Sequence, residues 1–327
     1  MDSNLFIPKD VFPIIFSFMN KETLCTFVTL SSYWRKFIFE KKLLILEAKP
    51  ETLSLEYMQQ LPKTLHCFIF NSFGQKVPFD DSFIKYLPSS LQYLEIPYSL
   101  ITDNSIKSLP STLTNLSLSD CGKLSDSFTQ FLPSTLQYLN LAYTNITGVG
   151  FEHLPKSLIH LQLDGCSKLT SSCLKFLPQS LKHLSLANLK FGDSSLQYLP
   201  QSLTHLSLFG WDSLSNESIK YLPSSLKELD LRSTNLNDDC ISLLPRTLQL
   251  LILPSNITDK GLKQLSTQLQ YLDITQCDVT SEGILSLSDN LKIIQVGDNT
   301  KKIIEEHRTE FIQKLGSVDI EWNKLCV

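Results

Sequence analysis

"LPSTLQYLNL", Leu132 to Leu141, decides the architecture. Leu139 and Leu141 alternate with Tyr138 and Asn140, the period-two pattern of a strand with one buried face. The Leu-Pro in front of it is a stop, because a proline steers the residue before it away from helical geometry. The phrase recurs as "LPSSLQYLEI" (Leu87 to Ile96) and "LPSTLTNLSL" (Leu109 to Leu118). With the first leucine of each strand as marker, it returns at 65, 91, 113, 136, 158, 181, 203, 226, 248, 269 and 291, or 21–23 residues apart after a first gap of 26. A strand with one apolar face cannot bury it alone, so units at a steady period stack side by side into a parallel sheet.

The period alternates for a reason that can be located. After Leu91, Leu136, Leu181 and Leu226 the next apolar anchor (Ile101, Ile146, Phe191, Leu236) comes ten residues later; after Leu113, Leu158 and Leu203 it comes eleven later (Leu124, Leu169, Leu214). The extra residue therefore sits in the loop leaving the strand, and a double unit of 45 residues has been copied. The rest of each unit, such as "TDNSIKSLP" (Thr102 to Pro110), predicts one or two helical turns on the opposite side. Helices crowded outside and strands inside bend such a stack into an arc. Eleven strands at about 4.8 Å span roughly 50 Å, more than a small-molecule pocket needs.

These features resemble leucine-rich repeats. "ITDKGLKQL" (Ile257 to Leu265) and "ITDNSIKSL" (Ile101 to Leu109), with Cys121, Cys166 and Cys277, are similar to the cysteine-containing type, although the units are shorter and the Leu-Pro-x-Ser/Thr-Leu join departs from it. Eight residues after each marker stands a position expected to turn inward: Phe73, Ser99, Cys121, Thr144, Cys166, Leu189, Trp211, Thr234, Asn256, Cys277 and Asn299. They are expected to fill the core or to bond loop backbone.

"IPKDVFPIIFSFMNKETLCTFVTLSSYW" (Ile7 to Trp34) does not follow the repeat. Val11, Ile14, Ile15, Phe18 and Met19 have helical spacing, and Leu24, Phe27, Val28 and Leu30 make a second face. So many large apolar residues in so short a span leave an oily surface of the kind that marks an interaction site. From Ile7 to Ile38 the residues resemble an F-box: Ile7-Pro8 where that family has Leu-Pro, Asp10-Val11 where it has an acid and an aliphatic, then Ile14 to Met19, Leu24, Leu30 and Trp34. The resemblance implies docking onto the Skp-family adaptor of a cullin-RING ubiquitin ligase through Ile7, Pro8, Val11, Ile15, Phe18, Met19, Leu24 and Trp34. A helical cap for the repeats is the competing reading of this segment.

In a strand of this type the residues between the buried leucines face the concave side. The expected target-contacting set is Tyr93, Tyr138, His160, His183, His205, Glu228 and Tyr271 in the first column, Glu95, Asp230 and Asp273 in the second, and Phe209 and Arg232 in a third. Glu228, Asp230 and Asp273 make the later half acidic around Arg232, while the aromatic residues supply anchors. Three consecutive histidines in one column raise a metal site or a pH-sensitive patch. A ladder spreads its ligands along a line, however, and the reading adopted is copied, solvent-exposed imidazoles with no metal.

The expected architecture is α/β: a small F-box-like helical domain at 1–42, a linker and capping repeat at 43–64, a leucine-rich-repeat solenoid at 65–299, and a cap at 300–327. The cap rests on Ile303, Ile304, His307, Phe311 and Leu315 along one helix face, a stop at Gly316, and a closing strand "VDIEW". A net charge of −4 without basic runs argues against nucleic acid. Eight cysteines without a CxxC pair fit a reducing compartment. The early apolar stretch is too short to span a bilayer and lacks a cleavage signature, so the cytoplasm or nucleus is expected, or a host's cytoplasm for a pathogen protein. No Ser-His-Asp set, phosphate loop or HExxH is visible, which leaves a substrate receptor, or a binding scaffold unconnected with ubiquitin, ahead of an enzyme. No cofactor or small-molecule ligand is expected; the partners would be the adaptor, the cullin and a protein target.

Overall fold

The computed structural model describes residues 45–48, 53–70, 79–306, 311 and 319–322. The F-box-like segment, with all eight adaptor contacts from Ile7 to Trp34, lies outside the described residues, as do Phe73, His307, Leu315 and Gly316.

Among the described residues, thirteen strands form one all-parallel sheet in strict chain order. They are β1 (Ile45–Ala48), β2 (Cys67–Phe70), β3 (Tyr93–Glu95), β4 (Asn115–Ser117), β5 (Tyr138–Asn140), β6 (His160–Gln162) and β7 (His183–Ser185), then β8 (His205–Ser207), β9 (Glu228–Asp230), β10 (Leu250–Ile252), β11 (Tyr271–Ile274), β12 (Ile293–Val296) and β13 (Asp319–Trp322). Eleven are the expected repeat strands; β1 and β13 add one at each end. Register is the same throughout: Leu94, Leu116, Leu139, Leu161, Leu184, Leu206 and Leu229 face one another across successive strands. The marker leucines from Leu91 to Leu226 are fully buried behind the sheet. Each buried leucine contributes about 2 kcal/mol of transfer free energy, which an isolated repeat could not realise.

Short helices cover the other side of this core. They are α-helical near the ends (Asp81–Ile84, Asp103–Ile106, Asp259–Leu262, Ser281–Leu285) and 3-10 in the centre, as at Asp126–Phe131 and Asn216–Tyr221. The prolines act as expected: Leu132, Leu154, Leu177, Leu199, Leu222 and Leu244, each before a proline, hold ψ between 136° and 145° and end their helices abruptly.

The Ser/Thr of the Leu-Pro-x-Ser/Thr-Leu join has a structural task that the sequence did not disclose. Thr135 Oγ1 lies 2.8 Å from the Ser111 carbonyl and 2.6 Å from that of Leu113, one repeat back. Ser90, Thr112, Ser157, Ser225 and Thr247 each face the matching pair of carbonyls. A second ladder runs along the helix starts. Asp126 accepts from the Thr147 amide and hydroxyl and from the Gly148 amide, and Asp103 does the same for Ser125. Stacking thus satisfies backbone groups that a lone repeat would leave to water.

Seven residues after the marker the chain turns through the left-handed region, at Tyr98, Asp120, Tyr143, Gly165, Asn188, Gly210 and Ser233. The following residue then points inward, which buries Ser99, Cys121, Thr144, Cys166, Leu189, Trp211 and Thr234. Trp211 Nε1 donates to the Leu186 carbonyl at 2.5 Å and Cys166 Sγ to that of Leu141 at 3.1 Å. Asn256 and Asn299 depart from the expectation, because both are exposed. Asn256 sits in a loop shortened so that Ile257 follows Leu248 by nine residues, and it bridges to Asn237 instead. Asn299 stands in the first turn of the helix Asp298–Glu306. That helix buries Thr300 and Ile304, and Phe311 is buried beyond it.

Candidate interaction surface

Because β-strand side chains alternate, the residues between the buried leucines stand on the open face of the sheet, the concave side expected from the sequence. Parallel in-register pairing places Tyr138, His160, His183, His205, Glu228, Leu250 and Tyr271 in one row across β5 to β11. The expected histidine column therefore exists as a contiguous feature, but not as separate solvent-exposed rings. The His160 and His183 centroids lie 3.8 Å apart at 12°, and those of His183 and His205 lie 3.7 Å apart at 20°. Tyr138 closes one end, tilted against His160 at 6.0 Å. Glu228 closes the other, with its Oε1 3.0 Å from His205 Nε2. Burial, and then the His205 imidazole, hold His160 down at about 4; burial, and then His160 and His205, hold His183 down at about 2.

The acidic half of the face differs from expectation. Glu228, Asp230 and Asp273 are 4%, 1% and 5% exposed, so no hydrated acidic patch is formed. Neighbouring strands lie too close for short side chains to stand clear, and each acid is committed to local groups. Asp230 accepts from the Arg232 side chain, Nε to Oδ1 at 3.0 Å and to Oδ2 at 3.3 Å and Nη2 to Oδ2 at 2.7 Å, and from the Arg232 amide. Asp273 accepts from the Thr275 amide and hydroxyl. Asp164 does likewise for the Ser185 hydroxyl and Ala187 amide. Burial raises the pKa of Glu228, Asp164 and Asp273 above the usual carboxylate range.

The aromatic anchors are also tied down. Tyr93 donates to Glu95 at 2.8 Å, Tyr138 to Gln162 at 2.9 Å, and Tyr271 to Gln295. Phe209 lies under the Arg232 guanidinium, 5.7 Å from its centroid. What the sequence reading missed is Thr204 beside His205, and Tyr143 at the rim. Tyr143 is 56% exposed with its ring across Gly165, where an added Cβ would come within 2.4 Å of it. The available signal was a tyrosine at a turn position that, Tyr98 apart, is held by small or polar residues. Among the described residues no group of three or more His, Cys, Asp or Glu side chains could hold a metal ion, and no helix is long and apolar enough to cross a membrane. The result is a long, pre-ordered polar and aromatic face, suited to broad contact with a macromolecule.

The family model described as "Leucine Rich repeat" matches residues 133–154 and 265–288. No curated protein matches the sequence. Among solved structures, the chain is similar to an internalin (inlF) from Listeria monocytogenes, with TM-score 0.55 and 18% identity over 86% of each chain. It is also similar to the leucine-rich repeat-containing protein LegL7 from Legionella pneumophila, with TM-score 0.44 and 17% identity over 69% of this chain and 89% of that one. The fold is that of a leucine-rich-repeat solenoid.

Proposed function

We propose that this chain is a substrate-recognition subunit of a cullin-RING ubiquitin ligase, acting in the cytoplasm or nucleus of a eukaryotic cell. Its 7–38 segment would hold the Skp-family adaptor and the open face of the sheet would hold a protein target. The observation that carries this reading is the gap-free run of F-box-like residues from Ile7 to Ile38 ahead of a repeat array. The array itself supports the coarser part, a protein-binding scaffold: it offers an ordered face of paired polar and aromatic groups. Transfer chemistry belongs to other subunits, and the chain contributes proximity, by raising the local concentration of target lysines. No residue of this chain is catalytic in this reading. The burial of Glu228, Asp230 and Asp273 moves the expected contacts toward Tyr143, Phe209 and Arg232.

The test is capture of purified adaptor by the full chain, with Ile7 and Pro8 both changed to alanine as control. Capture at micromolar protein that the double change abolishes supports the ligase reading. No capture by the unaltered chain leaves a leucine-rich-repeat scaffold unconnected with ubiquitin, which in a pathogen would act in the host's cytoplasm.

A further inference from the structure

The histidine row holds more order than a copied surface requires. Three imidazoles in face-to-face contact end on a carboxylate that is 4% exposed and whose Oε2 has no hydrogen-bond partner. His183 Nδ1 is likewise buried without a partner. His205, by contrast, is bonded at both nitrogens: Nε2 to Glu228 Oε1 at 3.0 Å, Nδ1 to Thr204 Oγ1 at 2.7 Å. Thr204 Oγ1 also lies 3.1 Å from the Lys182 carbonyl. A hydroxyl has one hydrogen to give. With Nε2 donating to an ionised Glu228, a hydroxyl hydrogen given to Nδ1 leaves His205 neutral; given to the Lys182 carbonyl, it lets Nδ1 donate to the hydroxyl, and His205 is an imidazolium. The same heavy-atom positions satisfy both states.

We propose that Thr204, His205 and Glu228, with His183 and His160 stacked behind them, form a proton-driven switch in the open face: the contacts of His205 fit its neutral and its charged form alike, and charging the rings behind it parts the stack and loosens the face over β6 to β8. The physical reason is spacing. A cation on His205 and another on His183 would stand about 3.7 Å apart, at a repulsion that their surroundings must relieve by moving the rings. Titratable and charged groups on each packed element border the row. Tyr138 lies on β5, and Asp164 follows β6. Lys182 precedes His183 on the way into β7, and Lys227 precedes Glu228, with Asp230 on β9. Asp164 and Asp230 are committed elsewhere, so Glu228 is the carboxylate in contact with the row.

Histidine ring resonances of the full chain, followed from pH 8 to 3.5, test this, with added free imidazole as internal reference. His160 and His183 should keep the upfield shifts of stacked rings past the titration of the free imidazole, then lose them together more than about one pH unit lower. His205→Gln removes the neighbouring charge and should move that joint loss upward by about one pH unit. Separate titration of His160 and His183 alongside the free imidazole, or a His205→Gln transition within about 0.2 unit of the original, overturns the switch. Should the chain unfold first, the acid unfolding midpoint decides. The pair His160→Asn and His183→Asn should lower it by at least about half a pH unit, and an unmoved midpoint equally overturns the proposal.

Discussion

Replacing Thr135 by valine tests whether the hydroxyl ladder, and not only the leucine core, locks each repeat to the one before it. Valine keeps the branched shape and removes only the donor. Two carbonyls lose it: that of Ser111 at 2.8 Å, in an exposed setting where water can replace the hydroxyl, and that of Leu113 at 2.6 Å, which is partly buried. A neutral hydrogen bond contributes about 1 kcal/mol net, and an orphaned buried acceptor costs about 1–3 kcal/mol. Partial access of water at the site puts the expected loss at about 1–2 kcal/mol. Urea unfolding followed by circular dichroism should show a lower midpoint with an unchanged slope, since the surface exposed on unfolding is the same. Thr135→Ser, which retains the hydroxyl, should recover most of the loss. Gln268→Ala should be close to neutral, because exposed Gln268 occupies the equivalent place before Leu269 without a hydroxyl. If Thr135→Val and Thr135→Ser unfold within about 0.3 kcal/mol of each other, the ladder argument is wrong.

Other outcomes follow from the turns and from the buried imidazoles. Ser233→Gly should stabilise the chain by about 0.5–1 kcal/mol, because an exposed L-residue at φ 56° carries a penalty that glycine lacks, as a higher urea midpoint would register. Gly148→Ala should cost more than about 2 kcal/mol, since its φ is 87° and the new Cβ would meet Cys173 Cβ at 2.4 Å; the readout is loss of soluble folded protein or a lowered melting temperature. Stability should fall with acidity below neutral pH. His160 is held at about 4 in the fold against about 6.5 in the unfolded chain, so between those values the unfolded state binds more protons and stability rises with pH. Partial exposure limits this to about 1–2 kcal/mol, and urea midpoints at pH 7 and pH 5 that coincide would contradict it.

The regular part of this molecule could be read from its residues because each repeat makes the same local choices. Alternation in "LQYLNL" sets the strand, Leu-Pro sets the end of the helix, and the 22/23 rhythm sets where loops lengthen, all within one unit. The row of open-face residues could be listed for the same reason. Its chemistry could not. Whether Glu228, Asp230 and Asp273 stand in water depends on how closely the next strand lies, and whether three histidines share a metal, face solvent or stack depends on ring orientation across strands. Asn256 and Asn299 show the limit in the backbone, where a loop one residue short or a helix starting early moved an expected inward residue to the surface.

Local pattern thus determined the solenoid, its strand order and its buried columns, since period and steric preference act within about twenty residues. Stacking alone decided the partners of the Ser/Thr hydroxyls and helix-start aspartates, the burial of the acids and the contact between imidazoles. Those are distances between groups more than twenty positions apart, and only the assembled sheet sets them.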